Sequence, residues 1–229
     1  MNLPILYQDE HIVAINKPHG LLVHRSPIAA DASEFALQIL REQLQKTVYP
    51  VHRLDRKTSG VLLFTFSKET LVNVSNQFMA GTVKKKYLAI LRGHSPEFGT
   101  IDYPLLNEHE KLQDAITHYK TIGKSEIPYS LGKYTSLRYS LVVAEPETGR
   151  MHQLRRHFAH IMYPIIGDRP HGCNKQNRFF KETFNMDSMM LHAQELEFTH
   201  PISNEVIHIS APLSSEFQRM LDVLLLGNI

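Results

Sequence analysis

The chain has 229 residues, of which 42% are hydrophobic and 21% charged, and its formal net charge is +2. These values are ordinary for a soluble globular protein of one large or two small domains, and the small net charge excludes polyanion binding by bulk charge alone. Because Cys173 is the only cysteine, an intrachain disulfide and a thiolate metal cluster are excluded, and a reducing, cytoplasmic compartment is favoured. No run reaches the ~18–20 apolar residues of a membrane helix, and the N-terminus shows no secretion signal.

The apolar periodicity predicts helices and strands that mix without a regular βαβ rhythm. A capping pair of Asp31 and Glu34 marks the start of the first predicted helix, and Gly123 to Lys133 is the best candidate for a mobile loop. We therefore expect an α+β fold with a largely antiparallel sheet. The predicted strands cover residues 5–7, 11–16, 60–66, 83–91, 115–122, 135–144, 192–199 and 205–210. The first predicted helix ends near Lys46, and the other three cover residues 67–81, 150–162 and 214–226.

A single carboxylate, Asp55, lies among cations directly before a buried strand. Residues 52–64 read HRLDRKTSGVLLF, and neighbouring positive charge keeps a carboxylate ionised. This suits a group that attacks an electrophile, or takes a proton, close to phosphates. A surface aspartate that merely neutralises its basic neighbours fits the pattern equally well.

A second basic cluster lies at residues 147–157, which read ETGRMHQLRRH. Gly149 predicts a turn, and a helix that starts there would present free N–H groups, which attract anions. Its guanidinium groups, including those of Arg150 and Arg155, could clamp a phosphate or carboxylate at two points. A solvated basic helix face is the alternative.

The histidines of this helix do not predict a metal site. His152, His157 and His160 are spaced by five and then three residues, whereas a zinc helix carries an i, i+4 pair with a glutamate between. A metal-dependent hydrolase is therefore only a distant alternative.

Other segments combine basic side chains with aromatic rings or turns. Residues 84–90 (KKKYLAI) and 175–181 (KQNRFFK) offer backbone electrostatics and a stacking platform for an unpaired nucleotide. The alternatives are an edge strand guarded by lysines for the first and a pair of core phenylalanines for the second. The turn at 17–20 is a candidate phosphate contact or a purely structural turn, and Asp168 could orient a basic side chain or merely cap its own turn.

Together these segments resemble the RluA-type pseudouridine synthases. Residues 52–63 match the HRLD-x-x-TSG-x-LL pattern of that family, and residues 148–155 resemble TGR-x-HQ[LI]R, with Met151 where a polar residue is expected. The remaining similarities are KP-x-G-x-x-VH at 17–24, K-x-Y-x-A at 86–89, PI-x-GD at 164–168, and the LHA…HP element at 191–201. The resemblance runs from residue 5 to about residue 213.

The resemblance implies a pseudouridine synthase fold, in which a largely antiparallel mixed sheet is flanked by helices and an active-site cleft crosses the sheet. It implies one catalytic domain over residues 1–229, without the S4-type RNA-binding domain of larger relatives. The implied substrate is a uridine in tRNA, at position 65 of the T-stem. A uridine in ribosomal RNA or at another tRNA site is the alternative within the family, and a non-catalytic RNA-binding module is the alternative from another class.

The resemblance also implies the roles of individual residues. Asp55 would be the catalytic carboxylate, Arg155 would pair with it, and Tyr87 would lie against the uracil ring. Leu154 would pack on the opposite face of the base, and Arg53 would fill the gap left by the flipped nucleotide. The further candidates for substrate binding are His52, Lys17, Arg150 and Lys86.

The implied reaction breaks the N1–C1′ bond, turns the base and joins C5 to C1′. A uridine in a helix must first be flipped out at a cost of a few kcal/mol, which cationic contacts to the backbone would offset. The isomerisation needs no cofactor or metal, and a single carboxylate argues against ordinary glycoside hydrolysis, which uses two. Asp55 could attack the sugar or the base, or remove a ribose proton. A monomer without membrane contact is expected.

Overall fold

The computed structural model describes residues 1–24 and 34–227. The chain divides into two compact units, which are Met1–Lys85 with Ala193–Leu213 and Lys86–His192 with Ser214–Ile229. Within the described residues the elements in chain order are β1 (Ile5–Gln8), β2 (Ile12–Lys17), α1 (Ala36–Leu44), β3 (Tyr49–Pro50), β4 (Ser59–Thr65), α2 (Lys68–Met79), β5 (Lys84–Arg92), β6 (Phe98–Asp102), β7 (Leu105–Leu106), β8 (Leu112–Gln113), β9 (Ile116–Ile127), β10 (Leu137–Pro146), α3 (Gln153–His160), α4 (Asn174–Phe184), β11 (Leu191–Thr199), β12 (Val206–Ser210) and α5 (Ser215–Val223).

The first unit is built around β2 and β4, which pair antiparallel with Lys17 opposite Gly60. Strand β1 pairs with β2, β3 pairs with β4, and β11 pairs with β12. All seven residues of β4 are buried, as expected for a continuous apolar strand that is covered on both faces. The core of this unit is apolar and consists of Ile12, Ala14, Val61, Leu63, Val74, Val83, Leu196, Phe198, Ile209 and Ala211.

The helices of the first unit follow their sequence patterns to different degrees. Helix α2 is confirmed, because the Ser67 hydroxyl accepts a hydrogen bond from the Thr70 amide at 3.1 Å and so satisfies one free N–H of the first turn. Helix α1 begins at Ala36 without a side-chain cap. Asp31, the expected capping residue, lies outside the described residues.

The second unit is a sheet in the order β5-β10-β9-β6, packed against helices. Strands β9 and β10 form a long hairpin, and β9 continues to Ile127, so the expected mobile loop from Gly123 to Lys133 is wrong over its first half. Leu141 pairs with Gly123 but Val142 pairs with Thr121. One extra residue in β9 therefore makes a bulge. The bulge interrupts the alternation of apolar and polar residues that predicts a strand from sequence.

The remaining helices show where the sequence patterns were weaker. Helix α3 starts at Gln153, three residues later than expected, because His152 adopts a left-handed conformation before it. Helix α5 has the expected cap, since the Ser214 hydroxyl accepts from the Phe217 amide at 3.2 Å. Helix α4 was not predicted, because its N-cap, Cys173, makes no side-chain cap bond and its asparagines and phenylalanines are poor helix formers.

The α+β class and the largely antiparallel sheet are confirmed, because the described strand registers within the two units are antiparallel. Over residues 1–24 and 34–227, no helix is both long enough and apolar enough to cross a membrane.

Gly60 provides a test of the packing in the first unit. Its φ is +112°, and a Cβ at this position would overlap the carbonyl group of Ala193. We expect Gly60→Ala to lower the free energy of unfolding by about 3 kcal/mol or more, since backbone strain and a steric clash add. Chemical denaturation measures this change.

Gly20→Ala is the matched control. Gly20 has a φ of +88°, but nothing lies within 4 Å of its Cβ position, so only backbone strain of about 1 kcal/mol is added. Equal losses of unfolding free energy in the two variants would show that the close approach to Ala193 adds nothing to the cost of a side chain at Gly60.

Candidate active site

The Asp55 loop is held by buried residues on both sides of the carboxylate. Leu54 and Thr58 are buried, and the Thr58 amide donates to the Asp55 carbonyl at 3.0 Å. The loop is tied to the turn at 17–20, because the Gly20 amide donates to the Arg56 carbonyl at 2.8 Å and Nε of Arg56 donates back to the Gly20 carbonyl at 3.0 Å. Asp55 itself remains partly exposed.

Lys17 has a different role from the one expected. Its side chain is 0% exposed, and Nζ donates to the carbonyl oxygens of Pro18, Leu21 and Arg56 at 2.9, 2.8 and 3.3 Å. The expected phosphate contact is therefore wrong, because the ammonium group is enclosed and its three donors are used. Burial lowers the pKa of Lys17 to about 7, while the charge of Asp55 opposes this shift.

His52 also supports the loop from within the first unit. The Leu63 amide donates to its Nε2 at 3.2 Å, and the ring stacks on Phe78 with centroids 5.1 Å apart. Burial, followed by the charge of Lys85, lowers the pKa of His52 to about 4. The neutral ring of His52, which accepts a hydrogen bond from β4, therefore has a structural role. The sequence interpretation, which gives His52 only as a substrate contact, missed this role. Arg53, its neighbour, is exposed.

In the second unit, Tyr87 and Leu154 pack in the same apolar cluster. Leu154 is buried, and Tyr87 is a partly buried residue at the edge of the cluster. Tyr87 pairs with Ala144 on β10, and the Ile90 amide bonds to the Met190 carbonyl on the other side of β5. The alternative of a lysine-guarded edge strand is therefore wrong.

Gln153 organises the turn before α3, which sequence reasoning missed. Its Oε1 accepts from the Thr148 hydroxyl at 2.7 Å and the Arg150 amide at 3.0 Å. Its Nε2 donates to the Ile116 carbonyl at 2.9 Å and the Thr117 hydroxyl at 3.1 Å. This fully used amide fixes the turn against β9. Arg150, a predicted substrate contact, donates from Nε to the Asp114 carbonyl at 2.9 Å.

Arg155 forms a buried two-point ion pair with Asp168. Nε donates to Oδ2 and Nη2 to Oδ1, both at 2.9 Å, and the two side chains are 6% and 1% exposed. Asn177 donates to the Asp168 carbonyl at 2.7 Å, which ties the pair to α4. Of the two interpretations of Asp168, the orientation of a basic side chain is confirmed.

The histidines near α3 contact protein groups. Nδ1 of His157 lies 3.0 Å from the Thr117 hydroxyl and Nε2 lies 3.0 Å from the Tyr103 carbonyl. His160 stacks on Tyr103 with centroids 3.7 Å apart. Over the part of the chain that the structure describes, no group of three or more potential ligands could hold a metal ion.

The predicted site residues divide between the units. Asp55, Arg53, His52 and Lys17 belong to the first unit, and the second unit contains Tyr87, Lys86, Arg150, Leu154 and Arg155. The pairing of Asp55 with Arg155 would join residues of different units and stays a prediction.

These motifs and this fold define a class of RNA-modifying isomerases. The family model of RNA pseudouridylate synthase matches residues 11–160, and the chain belongs to that family. It is 47% identical to tRNA pseudouridine synthase C of Haemophilus ducreyi, over 97% of this chain and 96% of the relative. It is 44% identical to the Vibrio parahaemolyticus protein of the same name, over 96% and 94%.

A solved structure supports the fold assignment. Human RNA pseudouridylate synthase domain containing 4 aligns with a TM-score of 0.75 at 25% identity, over 97% of this chain and 93% of the human chain.

The buried Arg155–Asp168 pair predicts a large effect of Asp168→Asn. This change keeps the size of the side chain but removes the negative charge beside a buried guanidinium, so we expect a loss of about 3 kcal/mol in the free energy of unfolding. Glu216→Gln is the matched control, because Glu216 also makes a two-point contact with Arg219 but in a more exposed pair, where the cost is below about 1 kcal/mol. Denaturant titration of both variants measures the difference, and equal losses would contradict the prediction.

His52 predicts a pH dependence of stability. Its pKa is about 4 in the fold and about 6.5 in an unfolded chain, so its contribution is full above pH 6.5 and is lost as the pH falls through 4. We expect His52→Gln, which keeps an acceptor near Nε2 but does not titrate, to flatten the fall in unfolding free energy between pH 6.5 and 4. His109→Gln, at an exposed histidine, is the control. If the unfolding free energies of the two variants fell in parallel with pH, the pH dependence could not be assigned to His52.

Proposed function

We propose that this isomerase converts a uridine in tRNA to pseudouridine, with position 65 of the T-stem as the target. The observation that carries the proposal is the Asp55 loop, which presents one partly exposed carboxylate between buried anchors. The name shared by relatives with 47% and 44% identity over nearly the whole chain supports tRNA as the substrate. The T-stem position rests on the sequence resemblance alone.

In the proposed reaction, Asp55 is the catalytic carboxylate. The buried ammonium of Lys17 and this carboxylate interact electrostatically, since the charge of Asp55 raises the pKa of Lys17 against the effect of burial. In this proposal Arg155 pairs with Asp55 and keeps it oriented, while Asp168 holds the guanidinium through Nε and Nη2. An ionised, fixed carboxylate can attack the sugar or the base, or remove a ribose proton, as the N1–C1′ bond breaks.

Tyr87 and Leu154 form the walls of the proposed base pocket. The tyrosine lies against the uracil ring and assists removal of the C5 proton, and the leucine packs on the opposite face. Partly apolar walls suit this reaction, because detached uracil must stay in place while it turns and C5 joins C1′. Arg53 fills the gap left by the flipped uridine, and Lys86 and Arg150 contact its backbone.

We also propose that residues 1–229 act as one catalytic domain, as a cytoplasmic monomer and without a cofactor or metal. Light scattering of the enzyme alone and with tRNA tests the monomer. Activity that survives a chelator would separate this isomerase from a metal-dependent hydrolase.

The proposal predicts that Asp55→Asn lowers the rate of pseudouridine formation by at least about 10³-fold, while tRNA affinity stays within about twofold. The substrates are unmodified transcripts of tRNA and of ribosomal RNA, and pseudouridine is mapped by chemical labelling and primer extension. Asp222→Asn, at an exposed carboxylate, is the control and should retain wild-type activity.

Each outcome of this experiment has a defined meaning. Full activity of Asp55→Asn would overturn the catalytic assignment. Modification of ribosomal RNA alone, or of another tRNA position, would replace the proposed substrate. Binding without product in the wild-type enzyme would favour a non-catalytic RNA-binding module.

A further inference from the structure

Helix α4 and the loop between β9 and β10, residues 128–136, form one surface of the second unit. Tyr129 of the loop lies edge-on against Phe179 and Phe184 of α4, with ring centroids 5.6 and 5.4 Å apart. Phe180, beneath them, is fully buried and lies edge-on to Phe179 and to Tyr139 of β10. Aromatic packing therefore fixes the loop on the helix, and the interpretation of the two phenylalanines as core is right for Phe180.

The outer side of this surface is basic. Lys175 and Arg178 are exposed and three residues apart, so they lie on one face of α4. The Lys175 ammonium lies against Gly132 of the loop, at the position where a Cβ would be. Lys133 lies over the ring of Tyr134, 5.5 Å from its centroid.

The cations of this surface have no acidic partner among the described residues. In the described part of the chain, no carboxylate lies within ion-pair distance of Lys133, Lys175 or Arg178. Lys181, further along the helix, is within 3.5 Å of Asp187. Tyr134 is 49% exposed. Of the side chains of this surface, only that of Lys133 lies over its ring. An exposed ring among cations that lack acidic partners is the combination that stacks a base and follows a phosphate backbone.

We propose that this surface binds a part of the tRNA other than the uridine that reacts. This inference rests on the proposed function, because it takes tRNA as the substrate. Lys133, Lys175 and Arg178 contact phosphates, and Tyr134 stacks on an unpaired base. A protein partner fits less well, since charged residues are depleted at the core of protein interfaces and three cations dominate this surface.

The position of α4 separates this contact from the reacting base. Gln176 of α4 accepts from the Tyr139 hydroxyl at 2.9 Å, whereas Tyr87 pairs with Ala144. Five residues along β10 correspond to about 17 Å, so the two positions are several nucleotides apart along a bound RNA strand. The surface therefore contacts nucleotides several steps away from the reacting uridine, and a stem-loop cut back to two base pairs on either side of that uridine would not reach it.

The test uses one variant of α4 that combines Lys175→Glu and Arg178→Glu. It is compared with a control variant that has the same change of charge. The control combines Lys46→Glu and Lys68→Glu, at two exposed lysines of the first unit. We expect the α4 variant to bind full-length unmodified tRNA about tenfold more weakly at 0.1 M salt. Its plot of log affinity against log salt should be shallower by about 2, one for each lost phosphate contact.

A stem-loop cut back to two base pairs on either side of the mapped target uridine provides the second substrate. On this RNA the α4 variant should keep the wild-type KM and kcat, because the remote contact is missing for both enzymes. Tyr134→Ala should weaken binding of full-length tRNA about tenfold, with an unchanged salt slope.

The inference would be overturned if the α4 variant bound tRNA as tightly as the control does. It would also be overturned if the α4 variant were impaired on the stem-loop as strongly as on full-length tRNA. If wild-type enzyme bound tRNA through this surface but formed no pseudouridine, the proposed function would fail while the RNA contact would stand.

Discussion

The buried ion pair between Arg155 and Asp168 is the interaction on which the proposed chemistry depends. A guanidinium has long, flexible linkages to the backbone, and it acts at a fixed point only if protein groups hold it there. Asp168 takes two of its donors at 2.9 Å and is itself held by Asn177. Removing both charges from water is costly, so this pair is better explained by positioning than by its contribution to stability. Helix α4, which carries Asn177, thus supports the Arg155–Asp168 pair as well as the proposed RNA surface.

The first unit solves a similar problem with a buried amine. Lys17 joins the turn after β2 to the loop of Asp55, because its three hydrogen bonds end on carbonyl groups of both segments. An uncharged side chain of the same length could fill this space but could not bind three carbonyl oxygens. Burial works against the charge, and the nearby carboxylate works for it. The pKa of Lys17 is therefore set by burial and by the charge of Asp55 together.

The sequence predicted the features that depend on short, contiguous patterns. The buried strand β4 and the capped helices α2 and α5 follow from apolar runs and from Ser67 and Ser214, and the class of fold follows from their order. Helix α4 and the bulge in β9 could not be predicted in this way. Helix α4 is stabilised by residues distant in the chain, such as Tyr129 against Phe184, and the bulge is visible only in the register of β9 against β10.

The same limit applies to individual residues of the site. Residue type indicated that Lys17 and His52 are important, but burial decides what each of them does, and burial is a property of the folded chain. From the sequence, the turn at Lys17 could be a phosphate contact or purely structural. With no exposed surface, this lysine is a structural cation. Conversely, Lys175 and Arg178 stand outside residues 11–160 that match the family, and exposure makes them available to RNA. Chemistry shared by the family and selection of one RNA can therefore reside in different parts of this chain.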